Sequence, residues 1–312
     1  MPPLVRAILD GLALVGLVAF AVAFPGDIVK HGHFLWVAGA AAAIDGMKQY
    51  ALWQEQREAR QPLAIYRTRS NKPTEAIQQA ALKALSDAAR GRAWITRLLV
   101  VCIAVPTLLE VFVGIDESVA RASVEPVAIR DGAWWRLLTG TYLHGSVVHF
   151  TGNMTALLLY GSILETKTSR YRLPLVYLLS CLGGSALSVA IPPDVPSIGA
   201  SGGIVGIIGY LFLFSRRREE LFPDGFRAAT AAVFASLITM GAIGFWYIDN
   251  PGHAGGALMG IMLAALLVDQ ALSYGDEISL PIMDFIGLMA MAVLIGGSVI
   301  TTMLLLGMTP IV

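Results

Sequence analysis

Charge is scarce in this 312-residue chain: Asp, Glu, Lys and Arg make up 14% of it, against 56% hydrophobic residues. A soluble globular domain carries about a quarter charged residues, so composition excludes an ordinary water-soluble domain and indicates an integral membrane protein. The 22 basic and 22 acidic side chains cancel, so bulk charge offers nothing to a nucleic acid. Cysteine is almost absent; Cys102 and Cys181 both fall in apolar runs and read as small buried hydrophobes. The His-Glu-x-x-His pattern is missing, and His144 and His149 are five apart, off a common helical face, so neither a metal nor another cofactor is expected. Internal repeats and low-complexity tracts are also lacking, which argues against the two related halves of a solute transporter.

What is abundant is long apolar segments. A span needs about 20 apolar residues to cross a hydrocarbon core about 30 Å thick. Candidates lie at 7–24, 33–53, 94–114, 148–166, 171–191, 201–215, 226–248, 252–268 and 283–308. The first follows Arg6 without a clear cleavage site and reads as a retained helix. The second is interrupted by Asp45 and Lys48 and reads either as a span or as an interfacial helix. Four regions result: hydrophobic segments at 1–53, a basic linker with a short helix at 54–93, a helical core at 94–272, and a loop with an extra span at 273–312. Arg57, Arg60, Arg67 and Arg69 place the linker on the cytoplasmic side. Counting spans from 94 puts Lys167, Arg170, Arg172 and Arg216 to Arg218 on that side too, while the loops around 192–200 and 249–251 fall outside and carry no Lys or Arg. With no organelle-targeting signal evident, a bacterial cytoplasmic membrane is the expected location.

Polar residues inside these spans share one depth. At 1.5 Å per residue, Ser201 lies about 22 Å above Arg216, His253 about 24 Å above Asp269, and Asn153 about 21 Å above Lys167. His149 is one turn further out than Asn153. Ser201 therefore sits roughly 8 Å below the outer surface, and the backbone before it must dip into the membrane. Irregular backbone at such depth requires burial in protein or a wet cavity. Gly202, Gly206 and Gly209 fall within one arc, and Gly252, Gly256 and Gly260 repeat every four residues. Such spacing lets membrane helices approach backbone to backbone, which would bring Ser201 and His253 within hydrogen-bond range.

A serine hydroxyl needs a base within reach to become a nucleophile, and histidine suits that role. Attack on a carbonyl creates an oxyanion that needs preorganised donors. The Ser201 backbone N–H at a helix N-terminus, with His149 and Asn153 four apart on another helix, can supply them. Asp249 lies one turn before His253, above the site, so a Ser–His dyad is expected rather than a triad. Blander readings stand beside this one. A serine in a Gly-rich membrane helix usually serves packing; Trp134 and Trp135 are common interface anchors; Asp45, Lys48 and Glu110 read as local pairing or snorkelling groups. Shared depth is what lifts the dyad above them.

The full set of motifs resembles the rhomboid family of intramembrane serine proteases. It comprises Trp135-Arg136, His144-Gly-Ser-Val-Val-His149 with Asn153, Gly199-Ala-Ser201-Gly202, and His253-Ala-Gly-Gly256 with Gly260. The resemblance implies an all-α six-helix bundle at about 94–268 with additional N-terminal and C-terminal spans, opening outward to water. It implies Ser201 as nucleophile, His253 as general base, and an oxyanion hole from His149, Asn153 and the Ser201 N–H. His144 would be supporting, and Trp135 and Arg136 would hold the outer loop. Single-span membrane proteins, cut near or within the span, are the implied partners, with the lipid bilayer around them. Residue 200 is Ala rather than the Pro that resembles inactive relatives, which bind clients without cutting them. Val205 departs from the pattern, because relatives often place there an aromatic ring that stacks on the base.

Overall fold

The computed structural model describes residues 93–191, 194–222, 225–244, 248–268 and 281–308. The segments expected at 7–24 and 33–53, and the basic stretch before Ala93, lie outside the described residues. Within them the chain is helical, with one isolated β-bridge between Val124 and Ser197.

The long helices are α1 (Trp94–Val113), α5 (Val147–Lys167), α6 (Arg172–Ala190), α7 (Ser201–Arg217), α8 (Phe226–Ile243), α9 (Asn250–Leu267) and α10 (Pro281–Leu305). Between α1 and α5 run three short helices, α2 (Ile115–Ala122), α3 (Pro126–Arg130) and α4 (Arg136–Thr139). By length and composition five helices among the described residues can cross a membrane: α1, α5, α6, α8 and residues Met283–Leu305 of α10. The shorter α7, with 17 residues, and α9, which opens on Asn250, Pro251 and His253, do not belong to that set. They are the two that carry the serine and the histidine. Helix α8 ends at Ile243, short of the expected 248, where Gly244 follows as the C-cap.

Polar groups inside the bundle are placed where backbone groups need partners. Glu165, near the C-terminal end of α5, accepts from the Ile95 and Thr96 N–H groups at 3.0 and 2.8 Å and from the Thr96 hydroxyl at 2.7 Å. It thus serves the unpaired donors at the start of α1. Pro106 lies inside α1 and has no N–H to give the Cys102 carbonyl four residues earlier. The Ser298 hydroxyl of α10 donates to that carbonyl at 2.6 Å. The Tyr142 hydroxyl donates to the Leu294 carbonyl at 2.6 Å, and Arg121 caps the end of α10 through the Leu305 carbonyl at 2.6 Å. Helix α10 is thereby keyed into α1 and into the loop that leads to α5.

The apolar core gathers Leu99, Ile103, Leu157, Tyr177, Ile207 and Phe214 from four helices. Around α7 the packing changes character. A Cβ on Gly256 would collide with the Gly202 carbonyl, and one on Gly260 with the Gly206 carbonyl. Helices α7 and α9 therefore touch through backbone, as the four-residue glycine spacing requires. At their C-terminal ends Arg217 of α7 donates to the Ala265 and Val268 carbonyls at 2.6 and 3.0 Å, satisfying the last turn of α9.

Candidate active site

The serine stands on a short, sharply folded approach. Ser197 pairs with Val124 through two 2.9 Å backbone hydrogen bonds, and the Gly199 N–H donates to the Gly140 carbonyl at 3.0 Å. Gly199 then takes φ 127°, a conformation that favours glycine, and Ala200 turns the chain into α7 with Ser201 as its first residue. The Ser201 N–H is therefore one of the helix's free N-terminal donors.

Helix α9 brings the histidine. Asp249 caps it, accepting from the Gly252 N–H at 2.7 Å, while its other carboxylate oxygen accepts from the Ser197 hydroxyl at 2.6 Å. One side chain thus fixes the helix carrying His253 to the loop carrying Ser201. His253 Nε2 lies 2.7 Å from Ser201 Oγ. Both residues are half-buried in a cleft that Ser197, Gly199, Asp249 and Thr141 also line. No carboxylate is hydrogen-bonded to His253 among the described residues, and the Asp249 carboxylate is engaged by Gly252 and Ser197.

Helix α5 covers the other side. Gly145 adopts φ 66°, and Ser146 follows as N-cap, its hydroxyl accepting from the His149 N–H at 3.2 Å. His149 is thereby set in the first turn, with Asn153 one turn below. The His149 ring lies so close to Gly199 that a Cβ there would fall 2.7 Å from Cε1 and 2.9 Å from Nε2; Asn153 Nδ2 would be 3.7 Å away. The positive φ and this close approach both demand glycine two residues before Ser201. Asn153 Nδ2 is buried and has no hydrogen-bond partner among the described residues. Buried amide donors are rarely left so.

His144, expected to support the site, is buried in the loop before α5, its ring edge-on to His149 and Phe150 at 5.2 and 5.3 Å. Burial, reinforced by neighbouring His149, lowers its pKa to about 3, so it is neutral at ordinary pH. Arg136 donates to the Ala120 and Ser123 carbonyls at 2.7 and 3.2 Å, closing the end of α2. Trp135 is half-buried beside it, whereas Trp134 is 64% exposed. Gly202, Gly256 and Gly260 form the α7–α9 contact described above. Val205 is buried, and no aromatic ring stacks on His253 among the described residues. No group of His, Cys, Asp and Glu among those residues has the arrangement of a metal site.

Two residues were not singled out as site residues from the sequence. Asp249 reads there as lying above the site and is instead the tie between Ser197 and α9. Glu110 reads as a local pairing group; its carboxylate accepts the N–H groups of His144 and Gly145 at 2.9 and 3.0 Å. The available signal was a carboxylate near the end of an apolar span with no Lys or Arg beside it.

Known proteins resemble this chain in sequence. Residues 131–270 match the family model described as the rhomboid domain. RHOMBOID-like protein 6, mitochondrial, from Arabidopsis thaliana is 33% identical over 144 residues, 46% of this chain and 47% of the relative. Rhomboid protease GluP from Bacillus subtilis is 34% identical over 166 residues, 52% of this chain and 32% of the relative. Inactive RHOMBOID-like protein 8 from Arabidopsis thaliana is 29% identical over 123 residues, 39% of this chain and 35% of the relative. The chain thus spans less than half the length of each of these relatives. With several helices long and apolar enough to cross a membrane around residues that match the rhomboid domain, the chain is a multi-pass membrane protein similar to rhomboid proteins.

Proposed function

We propose that this protein is an intramembrane serine endopeptidase that cuts single-span membrane proteins near or within their spans. The observation that carries the proposal is the 2.7 Å contact between Ser201 Oγ and His253 Nε2 at the outer ends of α7 and α9. In this reading α1 and α5 to α9 form the six-helix catalytic core, and α10 buttresses it. His253 Nε2 takes the Ser201 proton as Oγ attacks the scissile carbonyl, then gives it to the leaving amine. Backbone contacts and the Asp249 cap hold the histidine in place of a triad acid. The Ser201 N–H and Asn153 Nδ2 donate to the oxyanion, joined by His149. The unpaired, buried Asn153 donor supports this role, since it gains its partner only when charge develops. The basic residues Lys167, Arg172 and Arg216 to Arg218 mark the opposite, cytoplasmic ends, so the cleft opens outward, as in a bacterial cytoplasmic membrane.

A second reading, a rhomboid-like protein that binds membrane clients without cutting them, draws on the likeness to Inactive RHOMBOID-like protein 8 and on the missing ring over His253. Ala200 and the formed Ser201–His253 contact favour the protease. A fluorophosphonate probe applied to purified protein in lipid separates the two. Labelling that disappears in His253→Ala is expected; a folded wild type that never labels would favour the client-binding reading.

A further inference from the structure

The outer end of α1 carries Thr107 and Glu110, three residues apart and so on one helix face. Both are buried, Glu110 at 3% exposure, and both address the loop at 142–145. The Thr107 hydroxyl donates to the Tyr142 carbonyl at 2.9 Å. Its proton is then committed, so His144 Nδ1, 3.0 Å away, is the donor to the Thr107 oxygen. Glu110 uses both carboxylate oxygens, on the His144 and Gly145 N–H groups.

The second of these bonds reaches the active site in one step. The Gly145 N–H and the His144 carbonyl belong to the same planar peptide unit. Glu110 Oε1 holds the N–H side at 3.0 Å, and the carbonyl side lies 2.8 Å from His149 Nδ1. A carbonyl can only accept, so His149 Nδ1 carries a proton. An anionic acceptor on the amide proton also polarises the carbonyl, which strengthens its bond to the ring. The His149 ring then has one orientation, Nδ1 toward the loop and Nε2 toward Gly199. In that form the neutral ring turns an Nε2 lone pair to the cleft. His149 joins the oxyanion donors only when Nε2 takes a second proton, a cation that the Glu110-polarised carbonyl on Nδ1 stabilises and Glu110→Gln would support less well. The groups facing His149 are Glu110 through this peptide, the neutral His144 ring, Asn153 on its own helix, and His253 across the cleft.

We propose that Glu110 is a positioning residue that, through the His144–Gly145 peptide, fixes the orientation and the Nδ1–H tautomer of His149. This rests on the protease reading only for its kinetic consequence. A glutamine at this position accepts one N–H and presents an NH2 group to the other, so the peptide loses one anchor and its polarising charge.

The test combines a spectroscopic and a kinetic measurement on the full chain in lipid. In 15N-histidine NMR, the neutral His149 ring of the wild type is expected as the Nδ1–H tautomer alone, and Glu110→Gln as a tautomer mixture. In cleavage assays, Glu110→Gln is expected to lower kcat at least about tenfold with KM within about twofold, a loss that shrinks below about threefold in a His149→Ala background. An unchanged tautomer in Glu110→Gln, or an equal kcat loss in both backgrounds, would overturn the proposal. Should Glu110→Gln fail to fold, Glu110→Asp draws the carboxylate back by one methylene and is expected to act in the same direction, more weakly; wild-type behaviour by both readouts would count against the proposal. A wild type that does not cleave defeats the protease reading, and the NMR result still decides whether Glu110 holds His149.

Discussion

Replacing Asn153 by alanine should move activity and stability in different directions. Asn153 Nδ2 is a buried donor without a partner among the described residues, beside the Gly199 turn that leads to Ser201. An unmet buried donor costs about 1–3 kcal/mol in the resting protein. Truncation removes that cost and gives up some packing of a half-buried side chain, so the two largely offset. At about 2–4 °C per kcal/mol for a domain of this size, Tm should stay within about 2 °C of wild type or rise. The transition state fares differently. Loss of one oxyanion donor costs about 2.7–4 kcal/mol, a fall of about 10²–10³ in kcat. Thermal unfolding in lipid or detergent and steady-state cleavage of a single-span substrate supply both numbers. A Tm drop of several degrees with a parallel loss of cleavage would make Asn153 a packing residue. Cleavage within about threefold of wild type would remove it from the mechanism.

Gly256→Val should disable fold and site together, because side-chain atoms there meet the Gly202 carbonyl at the α7–α9 contact; a Tm equal to wild type would refute the backbone packing. Ser298→Ala leaves the Cys102 carbonyl without its 2.6 Å donor and should cost about 1–3 kcal/mol. Adding Pro106→Ala restores an intrahelical N–H and should recover part of that loss, whereas equal costs in both backgrounds would contradict the assignment. His144 is held at a pKa of about 3 against 6.5 when unfolded, so the folded state binds fewer protons. Its contribution to stability is complete above pH 6.5 and is lost as pH falls toward 3, at up to about 1.4 kcal/mol per pH unit. His144→Gln should therefore flatten the fall of Tm between pH 7 and pH 4, and parallel curves would refute this.

Much of the framework was legible in the sequence because the membrane imposes simple rules. Apolar length marked α1, α5, α6 and α10 to within a few residues. A rise of 1.5 Å per residue set Ser201, His253 and Asn153 at one level, and the glycine spacing on α7 and α9 foretold the approach that leaves Ser201 and His253 at 2.7 Å. Helix α8 ran shorter than its apolar stretch because Gly244 stops it. What the sequence hid were bonds between distant segments. Glu110 meets a loop 34 residues on, and Ser197 meets an aspartate 52 residues on. Neither pairing leaves a periodic trace, and both involve residue types that commonly sit at membrane ends for local reasons. The Val124–Ser197 bridge, which shapes the approach to Ser201, is a single backbone pair and has no side-chain signature at all.

The most direct test of the central claim is cleavage of a single-span substrate by purified protein in lipid vesicles, with wild type and Ser201→Ala compared at equal folded concentration. The account predicts cleavage by the wild type and none by Ser201→Ala, whose Tm should match because Ala fits the start of α7. Cleavage at the wild-type rate by Ser201→Ala would contradict it.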